Sequence, residues 1–168
     1  MRPIVETERL RLREFGHADL DELSAMVADA DQMTFYPRPK TRDEASAWIK
    51  RNLDFYERYG FGFWRIDSHA TSDFLGYCGI RPLILEGASE TEIGWHTRKT
   101  VWNRGIATEA ATAAKHLASE RFAVSRLVAI IHPAHFASRR VAENIGMRAE
   151  RSIVLDGYSA VLYTTKRS

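Results

Sequence analysis

The stretch Val101-Trp102-Asn103-Arg104-Gly105-Ile106-Ala107-Thr108-Glu109-Ala110 joins a small-residue turn to the start of a helical pattern. Gly105 and Ala107 leave its backbone little covered, and Arg104 adds a positive side chain. Unpaired N–H groups at a helix start attract anions, and the helix dipole reinforces them. The turn therefore reads in two ways. It is a cradle for a phosphate-bearing ligand, or an ordinary strand-to-helix turn whose small residues allow close packing. Two nucleotide-binding patterns are missing: no Gly-Lys-Ser/Thr follows the turn, and the chain holds no Gly-x-Gly-x-x-Gly.

Other reactive side chains point to less chemistry. Cys78 is the only cysteine and lies in the apolar run Phe74 to Ile80, which predicts a buried, inert thiol. With one cysteine no internal disulfide forms, as expected in a reducing cytoplasm. His132 and His135 stand three apart with Pro133 between them and no evident third ligand, so no metal is expected. The formal net charge of +2 gives no argument for nucleic acid as a partner. No apolar run matches a signal peptide or a bilayer span, so no membrane association is expected.

The elements around the turn follow from periodicity. The chain has 168 residues, 45% of them hydrophobic, which suits one domain with a real core over 1–168. Leu10 and Leu12 alternate with arginines between Thr7 and Phe15, the period of a half-buried strand with its arginines in water. A short amphipathic helix is predicted over Ala18 to Ala28, and Pro37 and Pro39 mark Gln32 to Lys40 as a loop. Thr41 and Glu44 form a capping box for a helix that ends near Gly60. Phe61 to Ile66 and Phe74 to Ile80 read as a strand pair. Pro82 to Ser89 reads as a loop, and Glu90 to His96 as a further strand. Gly94 within that strand marks a bulge or a close backbone approach. An Ala-rich helix from Thr108 to about Phe122, a central strand at Leu127 to Ile131 and a helix from Ala137 to Ile145 follow. Arg148 to Leu155 and Ala160 to Lys166 close the chain as antiparallel strands across Asp156-Gly157. The order predicts an α/β sandwich on a mixed sheet.

Three segments, taken together, resemble the GCN5-related N-acetyltransferase (GNAT) superfamily, and within it the ribosomal-protein N-terminal acetyltransferase-like branch. They are Glu92-Ile93-Gly94-Trp95, Trp102 to Ala110, and Ala137-Ser138-Arg139-Arg140-Val141-Ala142-Glu143-Asn144-Ile145-Gly146-Met147. The opening Thr7 to Arg13 also matches that branch. The resemblance covers nearly the whole chain. It implies a mixed, mostly antiparallel sheet with helices on both faces and a splayed central strand pair.

The resemblance also implies an acetyl-CoA-dependent transfer to an amine, with acetyl-CoA as cosubstrate. The pyrophosphate would lie on the turn through Trp102, Asn103, Arg104, Gly105, Ile106, Ala107 and Thr108. Trp102 stands where the family usually has Gln or Arg, so it is expected to pack near the cofactor. Freed backbone at Trp95, His96 and Thr97 would bond the pantetheine and the thioester carbonyl. Glu92 is the expected base, with Glu90 on the same face as the fallback and His96 expected beside the pantetheine. Ser138 is expected near the departing sulfur, or else as the N-cap of its helix. The superfamily's Tyr is missing from Arg140 to Asn144, and His135 replaces the usual Asn. The acceptor is a protein N-terminus or a small amine, in a cleft that Phe35, Tyr36 and Trp64 could wall. The alternative is a module of the same fold that binds acetyl-CoA without turning it over. A monomer or a homodimer suits either reading.

Overall fold

The computed structural model describes residues 2–165. Lys166, the last residue of the expected closing strand, lies outside them. The strands are β1 (Val5–Glu6), β2 (Leu10–Arg13), β3 (Phe63–Ser68), β4 (Phe74–Leu85), β5 (Ala88–Thr97), β6 (Val128–Ile131), β7 (Arg148–Leu155) and β8 (Tyr158–Thr164). They form one sheet in the order β1-β2-β3-β4-β5-β6-β8-β7. Every neighbouring pair is antiparallel except β5 and β6.

Helices cover both faces. α3 (Ile106–Phe122) buries Ala110, Ala111, Ala114 and Ala118 completely, and their small side chains let it lie close on Trp64, Ile66, Cys78, Ile80 and Ile93. α4 (Phe136–Asn144) adds Ala142 to the same core. On the other face, α1 (Leu20–Ala28) and α2 (Arg42–Tyr59) pack Leu23, Met26, Ala45 and Ile49 against Phe15 and Phe74. Further along that face, Leu83 and Leu85 reach over Val128, Ile153 and Leu162. The sheet thus alternates apolar residues to two cores along each strand.

α2 begins as the sequence dictates. Thr41 Oγ1 accepts the Glu44 N–H at 3.2 Å, and the Glu44 carboxylate accepts the Thr41 N–H at 2.8 Å. Replacing Thr41 with Ala is expected to cost about 1 kcal/mol in a urea melt, because two helix-end donors lose their partner geometry.

Three expectations change. The first strand is shorter than Thr7 to Phe15, because Thr7 turns back on Leu10 and makes the β1–β2 hairpin. Its arginines are not uniformly wet: Arg13 joins Asp19, Asp67 and the buried Arg65 in an ion network. Finally, Pro82 to Ser89 is not a loop. β4 runs to Leu85 and turns at Glu86 and Gly87, both with positive φ, into β5. Pro82 is tolerated because Ile80 gives its N–H to Gly62 on the β3 side. Two residues on, the Pro82 nitrogen faces that same side, beyond the end of β3, where no ladder bond is lost.

Candidate active site

β5 and β6 are joined at a single pair, Glu92 with Val128. Beyond it the strands diverge, the expected splay. The N–H of Ile80 points to β3, so its partner Ile93, and with it Trp95 and Thr97, turn their backbone groups away from β4. Trp95 therefore aims its backbone into the gap. The Thr97 carbonyl also faces away from β4, but it already accepts Gln32 Nε2 at 3.1 Å and Trp102 Nε1 at 2.9 Å. His96 bonds to β4 in the ladder, so its backbone faces the other way. The expected bulge at Gly94 is absent: the β4–β5 register runs unbroken from Gly76–Thr97 to Leu85–Ala88. Gly94 is small for another reason, since a Cβ there would lie 2.9 Å from a ring carbon of Phe63.

The turn before α3 opens its amides. Asn103 and Gly105 both take left-handed backbone, with φ of 59° and 75°. Gly105 is the N-cap and has no side chain to satisfy the first turn. The first bond into the helix runs from Glu109 N–H to the Gly105 carbonyl, so the amides of Ile106, Ala107 and Thr108 precede the ladder. α3 starts two residues before the expected Thr108, because the left-handed Gly105 sets the boundary. Glu109 ties the turn to the N-terminal hairpin. It accepts Thr7 Oγ1 at 2.6 Å, Arg9 N at 3.0 Å and Arg9 Nε at 2.5 Å. Burial works against its charge, but these donors outweigh it and hold the carboxyl below its usual range. Arg9 Nη1 also caps the Arg104 carbonyl at 2.8 Å. Trp102 is 44% exposed beside the turn.

On the far side of the splay, Trp95 Nε1 donates to Ser138 Oγ at 3.0 Å. Ser138 is not the N-cap of α4. That position belongs to His135, whose backbone is outside the helical range and whose Nδ1 accepts the Ser138 N–H at 3.4 Å. Burial first, and the neighbouring His132 second, push the His135 pKa down. Phe35 stacks on His135, with ring centroids 4.2 Å apart, so the loop after α1 reaches the start of α4. Among the described residues no three His, Cys, Asp or Glu side chains gather as a metal site. No helix among them is long and apolar enough to cross a membrane.

Glu92 points to the opposite face, toward α1 and α2, and pairs with Arg81 at 2.5 Å. Glu90 pairs with Arg126 at 3.2 Å. Beside them His96 is 8% exposed. Its Nε2 lies 3.0 Å from the Gln32 carbonyl, which needs a donor, so Nδ1 is left to accept from the Tyr77 hydroxyl at 3.3 Å. Gln32 also binds the Lys99 N–H through Oε1, which locks the loop after α1 to the end of β5. Tyr36 stacks on His96 at 5.0 Å, and burial of its phenol end pushes its pKa up to about 12. Trp64 does not wall this cleft. It is fully buried on the α3 face, because strand alternation brings Phe63 to the cleft side instead. Sequence reasoning missed Arg81, Tyr77 and Gln32. Ending the strand at Ile80 hid the cross-strand partner of Glu92.

The buried His96 makes stability depend on pH. Burial lowers its pKa to about 4, so at mild acidity the unfolded chain takes a proton that the folded chain refuses. Its contribution is complete above the unfolded value and is lost as pH falls toward 4, in total about 3 kcal/mol. In urea titrations between those limits, the stability of His96→Gln is expected to depend less on pH than that of the wild type. Parallel curves would refute this.

A family model described as an acetyltransferase (GNAT) domain matches residues 9–148. The protein YkkB of Bacillus subtilis (strain 168) is 34% identical over 148 residues, covering 88% of this chain and 86% of that protein. An acetyltransferase from Agrobacterium tumefaciens str. C58 superposes with a TM-score of 0.85 at 27% identity, over 99% of this chain and 95% of that one. RimL, a ribosomal alpha-N-protein acetyltransferase solved in complex with coenzyme A, superposes with a TM-score of 0.77 at 16% identity, over 97% of each chain, a likeness of fold. With the splayed pair, the uncapped turn before α3 and a family match that spans both, the chain belongs to the GNAT acetyltransferase family.

Proposed function

We propose that the protein transfers an acetyl group from acetyl-CoA to a primary amine. The observation that carries this reading is the uncapped run of amides at Ile106, Ala107 and Thr108, beside a gap into which Trp95 turns its backbone. The residues fit the cosubstrate. Gly105 keeps the amides bare for a pyrophosphate. The exposed Trp102 offers a packing surface beside that turn, with its N–H committed to Thr97. Coenzyme A is the ligand of a neighbour with the same fold. When bound, acetyl-CoA supplies an acetyl thioester, an electrophile that a neutral amine attacks.

The chain's own residues then divide the work. The Trp95 N–H serves as an oxyanion donor, fixed before reaction by the β4–β5 ladder. Glu92 receives the proton that the acceptor ammonium must lose before its nitrogen can attack. Ser138 Oγ accepts from the Trp95 indole, which leaves its own O–H to donate to the departing sulfur. Phe35, stacked on His135, and Tyr36, stacked on His96, stand at the margin of the cleft and limit water there.

The test is acetyl transfer from acetyl-CoA to a panel of small amines and peptide N-termini, with wild type, Glu92→Gln and Ser138→Ala side by side. Transfer by wild type with losses in both variants is the expected result. If all three proteins bind CoA and none transfers acetyl, the reading fails in favour of a CoA-binding module.

A further inference from the structure

The Arg81–Glu92 pair is built unlike a simple cross-strand ion pair. The two residues oppose one another directly in the β4–β5 ladder. Only 13% of the Glu92 side chain is exposed, against 37% for Arg81. Arg81 reaches Glu92 through Nε alone. Among the described residues its two terminal nitrogens have no hydrogen-bond partner, so one edge of a planar fork is free and partly open to solvent. The guanidinium lies over the Phe63 ring, 5.8 Å from its centroid. The phenol ends of Tyr36 and Tyr77 lie within electrostatic reach of both charges. This face of β4 and β5 therefore offers a cation with a vacant bidentate edge and, in contact with it, an anion.

We propose that this pair selects an acceptor that carries a carboxylate next to its amine, an amino-acid-like zwitterion. The inference rests on the acetyl-transfer reading and names the acceptor class for that site. The open edge of Arg81 takes the carboxylate bidentately, the geometry a guanidinium fork matches. Glu92 takes the ammonium. Arg81 keeps its Nε on one oxygen of Glu92, and the other oxygen is left to accept from the ammonium that Glu92 must deprotonate. A dianionic group such as a phosphate fits less well, because Glu92 would face it at close range.

The experiment compares matched acceptors, phenylalanine against phenethylamine and alanine against ethylamine, by kcat/KM with acetyl-CoA. Wild type is expected to prefer the carboxylated member by about 10- to 100-fold, the range of a charge-assisted hydrogen-bonded contact. In Arg81→Gln the preference is expected to collapse toward unity, and in Arg81→Lys to survive in part, because charge remains but the fork does not. The ratio cancels any general loss of activity in the variants. Calorimetric titration of the same compounds into the CoA-bound protein is expected to give the same order of affinity. Equal use of both members by wild type, or a preference that outlives Arg81→Gln, overturns this inference and leaves acetyl transfer standing. A CoA-bound protein that acetylates none of them, nor any other amine, overturns both.

Discussion

Replacing Glu92 with Gln is expected to lower kcat for amine acetylation by about 10²- to 10⁴-fold, the usual contribution of a positioned base. The substitution keeps size and leaves an amide oxygen to accept from Arg81, so the β4–β5 ladder is expected to hold. CoA affinity is expected to stay at the wild-type value, because the turn before α3 lies on the other side of the sheet from the Glu92 side chain. A pH series separates loss of the base from loss of binding. Without Glu92 the site must wait for an amine that is already neutral. Below the acceptor pKa, kcat/KM of the variant is therefore expected to rise about tenfold per pH unit, while the wild type levels off at lower pH. Equal kcat for both proteins across the series would remove Glu92 from the chemistry.

Gly105→Val is expected to raise the Kd for CoA at least tenfold while the fold survives. Gly105 holds φ 75° and ψ 9° as the N-cap of α3. A β-branched residue resists that left-handed backbone and relaxes by rotating the turn, which re-aims the amides of Ile106 and Ala107. The strain is about 1–3 kcal/mol, within the stability of an ordinary domain. Gly105→Ala separates strain from bulk. Its Cβ would lie 3.4 Å from the Arg9 guanidinium, an ordinary contact, so the turn is expected to hold more of its shape and the loss of affinity to be smaller. Unchanged CoA affinity in the Val variant, measured by calorimetry, would remove the turn from cofactor binding. Thermal melts of both variants show whether a loss comes from the site or from unfolding.

Local chemistry made much of this protein legible in its sequence. The Thr41–Glu44 box, the helix stop at Gly60, the Ala face of α3 and the Asp156-Gly157 turn each depend on residues a few positions apart, and all appear where the residue types put them. The turn before α3 was legible for the same reason, although in isolation it was equally a packing turn. Its place near the single-pair junction of β5 and β6 supports the proposed cradle over the packing turn. What the tertiary structure alone decided involves partners far apart in the chain. Arg81 meets Glu92 because β4 passes Pro82 without breaking, and Pro82 survives because β3 has already ended. His96 is held neutral by burial, and its ring is oriented by Gln32 and Tyr77, residues 64 and 19 positions away. Trp64 turns to the α3 core instead of the expected acceptor cleft because the pairing of β3 with β4 sets which face it takes. Capping and turn preferences act over one or two bonds' reach of backbone, so residue types suffice to read them. Charge partners, burial and the face of a strand depend on register between distant segments, and register is set only when the sheet assembles.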